Sequence, residues 1–150
     1  SSSRTMGTSK NKIYMYKFLR SLRKKILIKN QKYPDYKLDI KKLLKSKTFK
    51  EFDGLYTAPV SGFSGPEDYW EKASSKPYLT SIKKPVLLIT SSDDPFLAQE
   101  CYPFKEAEKS NYFYLEVTKY GGHVGFISSL FSKKNRWLEN RILQFIKDYG

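Results

Sequence analysis

Two segments of this chain read as β-strands, and each runs into a turn that carries a residue suited to acid–base chemistry. Residues 85–90, Pro-Val-Leu-Leu-Ile-Thr, form an uninterrupted apolar and β-branched run that reads as a buried strand. Residues 112–119, Tyr-Phe-Tyr-Leu-Glu-Val-Thr-Lys, are rich enough in aromatic and β-branched side chains to be a second strand. The first leads into Ser91-Ser92-Asp93-Asp94-Pro95-Phe96, the second into Tyr120-Gly121-Gly122-His123-Val124-Gly125-Phe126. His123 is the one histidine of the chain and follows Asp94 by 29 residues. Its glycine neighbours let the backbone turn tightly and another group approach. With a loosely helical stretch at 97–109 and a helix at 137–149, the order is strand, acid turn, helix, strand, histidine turn, helix. This is a βα pattern in which both polar residues emerge at the carboxyl ends of strands, where open α/β sheets keep their sites. A parallel sheet needs cover on both faces, and two strands are too few to be stable alone. The chain therefore reads as the end of a larger sheet.

The preceding residues are mostly helical. Met15, Phe18 or Leu19, Leu22 and Ile26 recur at three-and-four spacing, with Lys17, Arg20, Arg23, Lys24 and Lys25 around the other sides, so 10–29 is expected to be a basic amphipathic helix. Pro34 breaks it, and shorter helical pieces are expected at 37–45 and 47–56. Ala58–Pro66 is dense in breakers and reads as a loop; Pro66, Glu67 and Asp68 suit the first turn of a short helix to about Ser74. A helical turn is expected at 77–82. In the last helix Leu138, Ile142, Phe145, Ile146 and Tyr149 share one face, suited to docking.

Charge divides the 150 residues unequally. Residues 1–50 hold 16 Lys and Arg against Asp35 and Asp39, whereas residues 51–150 hold 12 against 13 Asp and Glu, so the net charge of +13 belongs to the first third. Such a face suits an anionic membrane or an acidic partner, or is simply solvated. Aromatics beside it, Tyr14, Tyr16 and Phe18, could stack on single-stranded nucleic acid, but no nucleic-acid module's motif accompanies them and no such partner is expected. Nothing approaches the ~18 apolar residues of a membrane span, and no signal-peptide pattern opens the chain. The lone Cys101 forms no internal disulfide, which agrees with a cytoplasmic setting.

The spaced residues Asp53, Gly62-Phe63, Asp68-Tyr69, Ser74, Ile82, Pro85, Leu87, Ile89 and Asp93-Asp94, together with Tyr120–Phe126, resemble the α/β-hydrolase superfamily in its YheT-type branch of carboxylesterases and acyl-ester lipases. Trp70 stands where that branch usually has a second tyrosine. The resemblance covers nearly all of the chain. It implies a helical cap and linker over 1–82, then over 83–150 the C-terminal part of the α/β-hydrolase core, with its last two parallel strands and flanking helices. It also implies a Ser-Asp-His triad in which Asp94 is the acid and His123 the base, Asp93 shaping the turn, with no metal or organic cofactor. The substrate class implied is an acyl ester, small or lipid.

The family's nucleophile sits in a Gly-x-Ser-x-Gly elbow upstream of the acid. Residues 1–93 contain no such motif: Ser61-Gly62-Phe63-Ser64-Gly65 has the wrong spacing and falls in the breaker-rich loop, which sets Ser64 aside. A Cys101–His123 pair is set aside for want of an activating helix start at the cysteine. The expectation is a chain that carries acid and base while an N-terminal half supplies serine and oxyanion hole, and that is inactive alone. The alternative is a non-catalytic binding protein that uses its basic helix against an anionic membrane or an acidic partner.

Overall fold

A computed structural model of the chain describes residues 5–34, 38–126 and 136–149. The chain divides into two compact units, 1–74 and 75–150.

The first unit is helical. A 3-10 turn at Ser9–Asn11 opens into α1, Lys12–Lys32, which is longer and starts later than the periodicity predicts. Met15, Leu19 and Ile26 are buried, as the predicted stripe requires, because positions four and seven apart return to one face. Opposite them lie exposed Ile13, Lys17, Lys24 and Ile28, a mixed rather than purely charged face. Two short helices follow. The Asp39 carboxylate caps α2, Ile40–Lys45, by accepting from the Lys42 N–H, and Thr48 caps α3, Phe49–Phe52, by accepting from the Glu51 N–H. An Arg23 guanidinium nitrogen donates to the Ser46 carbonyl, tying α1 to the α2–α3 connection.

Where a loop is expected from Ala58, the chain instead runs through a π-helical turn, Asp53–Thr57, into α4, Ala58–Val60. Pro59 is tolerated because a proline in a first helical turn forfeits no intrahelical bond. The helix stops at Gly62, whose φ of +77° favours glycine. Pro66 then begins α5, Pro66–Lys72. The Asp68 carboxylate pairs with Lys72 and accepts from both the N–H and the hydroxyl of Ser64, and these contacts, that with Lys72 foremost, lower its pKa to about 2. Trp70, the departure from the family pattern, donates its indole N–H to Asp53 at 2.8 Å.

The second unit contains β1, Val86–Ser91, and β2, Phe113–Thr118, paired in parallel with Leu87 opposite Tyr114 and Ser91 opposite Thr118. Between them lie a 3-10 turn at Gln99–Cys101 and α6, Phe104–Glu108; α7, Trp137–Tyr149, follows. Helix α7 meets the face of β2 that carries Tyr114 and Glu116: Phe145 and Tyr149 pack on the Tyr114 ring, and Arg141 donates to Glu116. Phe145 is buried, but Ile142 and Ile146 of the expected docking face remain exposed. Likewise β1 is not the buried strand expected, since Val86 and Leu88 are 39% and 38% exposed. Both differences have one cause: a sheet two strands wide is too narrow to cover a helix face or to bury both faces of a strand.

Candidate active site

Parallel pairing places the carboxyl ends of β1 and β2 side by side, and that register brings together residues 29 apart in sequence. Asp94 lies in the turn after β1. Its Oδ2 is 2.8 Å from His123 Nδ1, and its Oδ1 accepts the Phe96 N–H at 2.8 Å. The Asp94 side chain is only 2% exposed, so these two bonds offset the loss of water around a carboxylate. It therefore both closes its own turn and holds the imidazole.

Asp93 does different work. Its Oδ1 accepts the Gly122 N–H at 2.8 Å, fastening the histidine turn to the acid turn. That N–H holds the Asp93 carboxyl below the usual carboxylate range. Gly122 has φ +59°, a left-handed conformation that suits glycine, while a Cβ on Gly121 would lie 2.7 Å from the Phe126 ring and 3.1 Å from the Ser91 Cβ. The double glycine thus has two separate reasons. One residue must turn, and the other must be passed closely.

An ionised carboxylate is acceptor-only, so the neutral ring carries its proton on Nδ1 toward Asp94, leaving the Nε2 lone pair available. The His123 side chain is half exposed, and the Phe96 ring meets the imidazole edge-on at 4.9 Å between centroids. Among the described residues no serine, threonine or cysteine is hydrogen-bonded to Nε2. Ser64 is engaged by Asp68 in the other unit, and Cys101 is half-buried in its 3-10 turn. No group of three or more His, Cys, Asp and Glu able to hold a metal occurs among the described residues.

Two supporting residues are not evident from the sequence reading. Ser91 is fully buried, and its hydroxyl donates to the Gly122 carbonyl at 2.6 Å. Tyr102, also buried, donates to the Ser91 carbonyl at 2.7 Å. Burial, then the nearby Asp94 carboxylate, raises the Tyr102 pKa. A serine ending a strand is a usable signal; Tyr102 gives none, because its partner is a backbone carbonyl eleven residues away.

Parallel strands that deliver a carboxylate and then a histidine at adjacent carboxyl ends, with helices between and after them, define part of an α/β-hydrolase fold. Comparison with known proteins agrees. The chain is 32% identical over 140 residues to YheT of Escherichia coli (strain K12), an esterase by its name, covering 93% of this chain and 41% of YheT. It is 31% identical over 110 residues to phospholipase ABHD3 of Homo sapiens and 32% identical over 115 residues to a monoacylglycerol lipase of Saccharomyces cerevisiae. Those matches cover 73% and 76% of this chain and 27% and 25% of the relatives. The chain belongs to the α/β-hydrolase superfamily, in its YheT-like branch, and spans about two fifths or less of the relatives' length. No family model and no solved structure matches it.

Proposed function

We propose that this chain supplies the acid and the base of a carboxylic-ester hydrolase, Asp94 and His123, and that serine and oxyanion donors come from polypeptide outside these 150 residues. The observation that carries the reading is the 2.8 Å contact between a buried Asp94 carboxylate and His123 Nδ1. In the reaction, Nε2 takes the serine proton as the oxygen attacks the ester carbonyl, and Asp94 stabilises the resulting imidazolium. The same proton passes to the leaving alkoxide as the C–O bond breaks, giving alcohol and acyl-enzyme. Water then loses a proton to Nε2 as it attacks; that proton returns to serine, releasing the carboxylic acid. Residues 83–150 serve as core and 1–82 as cap and linker in this reading. An apolar groove of about 460 Å³ between β1 and α7, lined by Leu87, Ile89, Leu138 and Ile142 among others, supports further strands covering this sheet.

The names of the relatives support an acyl ester, small or lipid, as the substrate class. The test uses short nitrophenyl esters. The 150-residue chain alone is expected to show no turnover above background, and mixing with a separately produced N-terminal half of a relative restores turnover that depends on His123. Serine-dependent turnover by the chain alone overturns the reading.

A second reading, contact with an anionic membrane, is favoured by the exposed α1 face, where Ile13 and Ile28 flank Lys17, Arg20 and Lys24. No helix among the described residues is long and apolar enough to cross a membrane; the contact proposed here is a peripheral one, made by a cytoplasmic protein. Salt-sensitive binding to phosphatidylserine vesicles, lost in Lys24→Glu/Lys25→Glu, is expected; equal binding to neutral vesicles overturns it.

A further inference from the structure

Four cations in the N-terminal unit surround one apolar cavity, and among the described residues none of their side chains is ion-paired. The cavity, about 700 Å³, lies between α1 and the α2–α3 connection, within the ~300–1,000 Å³ of small-molecule sites. Met15, Leu19 and Leu44 give it an apolar floor. Lys12, Arg23, Lys45 and Lys47 line the same space. None of the four has an acidic side chain within ion-pair distance among the described residues. Arg23 is the most constrained of them. One guanidinium nitrogen donates to the Ser46 carbonyl, while its Nε is buried with no acceptor. A buried donor left unmade is costly, which makes Arg23 the least satisfied cation of this lining.

Apolar floor and cationic wall together select an amphiphile with one negative end. The tail leaves water for Met15, Leu19 and Leu44, and the head meets a planar guanidinium whose fork matches a carboxylate. We propose that this cavity binds a long-chain fatty acid, its carboxylate toward Arg23, Lys45 and Lys47 and its chain on the apolar floor. The site lies wholly within the first unit and uses neither Asp94 nor His123.

Calorimetric titration of the 150-residue chain with oleate, oleyl alcohol and oleyl phosphate, each below its micelle concentration, tests this. None of the three is an ester, so the result is independent of whether the chain contributes to hydrolysis. Oleate is expected to bind one per chain, with oleyl alcohol about tenfold weaker or more. Lys45→Gln/Lys47→Gln changes two exposed residues whose side chains make no ion pair among the described residues, and is expected to weaken oleate about three- to tenfold while leaving oleyl alcohol unchanged. Leu44→Gln is expected to weaken both. Absence of binding, equal affinity for alcohol and carboxylate, or an oleate affinity indifferent to the lysine changes overturns the proposal. Oleyl phosphate binding more than about tenfold tighter than oleate also overturns it, in favour of a phosphate head.

Discussion

The cations of α1 and the polar residues at the ends of β1 and β2 are used in opposite ways. Along α1, Lys17, Arg20, Lys24 and Lys25 have no acidic partner among the described residues. At the strand ends, Asp93 is bonded to Gly122, Ser91 to Gly122, Tyr102 to Ser91 and Asp94 to His123. The first pattern leaves charge to meet something else; the second ties the acid turn to the histidine turn and holds one imidazole in place. Preorganisation of this kind is what acid–base chemistry needs and what a surface for an anionic partner does not.

The sharpest way to break that contrast is to remove the pair itself. With the serine-bearing half present, His123→Ala is expected to lower ester turnover on the order of 10⁶-fold and Asp94→Asn about 10⁴-fold, measured as initial rates. Losses below tenfold in both would mean that the pair is only structural. Gly121→Ala comes next: a Cβ pressed against the Phe126 ring and Ser91 is expected to cost about 1–3 kcal/mol in denaturant unfolding and to disturb the His123 ring signals. Tyr102→Phe removes one buried donor, with an expected cost of about 1–2 kcal/mol by the same measurement.

On the other side, Lys24→Gln is expected to leave the melting temperature within about 2 °C, because an exposed unpaired charge contributes little. Asp68 marks where the first unit does order a carboxylate. Its folded pKa, about 2, lies below the ordinary 3.8, so the folded state binds fewer protons than the unfolded one as pH falls. The stability it contributes is full above that ordinary value and disappears between 3.8 and about 2. Asp68→Asn should therefore flatten the acid limb of helix content followed by circular dichroism, and an unchanged limb would show that the Ser64 and Lys72 contacts are dispensable.

Much of the fold is legible in local chemistry. β1 and β2 fall within a residue of the apolar runs at 85–90 and 112–119, and α7 occupies 137–149 as its period predicts. The family resemblance singled out Asp94 and His123, and the structure brings these two into contact. Less legible was the segment from Ala58, where breakers suggested a loop; Pro59 and Gly62 instead occupy the start and end of helix α4, positions each tolerates or favours. Exposure of Val86, Leu88, Ile142 and Ile146 could not be read from their apolar character, because burial depends on how many neighbours arrive.

By itself the sequence determined the two strands and the first and last helices, the concentration of charge in the first fifty residues, and the presence of an acid and a histidine after successive strands. Those follow from side-chain period, composition and turn chemistry, all of which are local. Tertiary structure alone gave Asp93 its partner, the Gly122 N–H across the two turns, and set Asp94 against the imidazole. It also recruited Tyr102 and shaped the open cavity that Arg23 helps to line. Each of these depends on strand register or on helices meeting across many residues of chain, and that geometry exists only once the chain has packed.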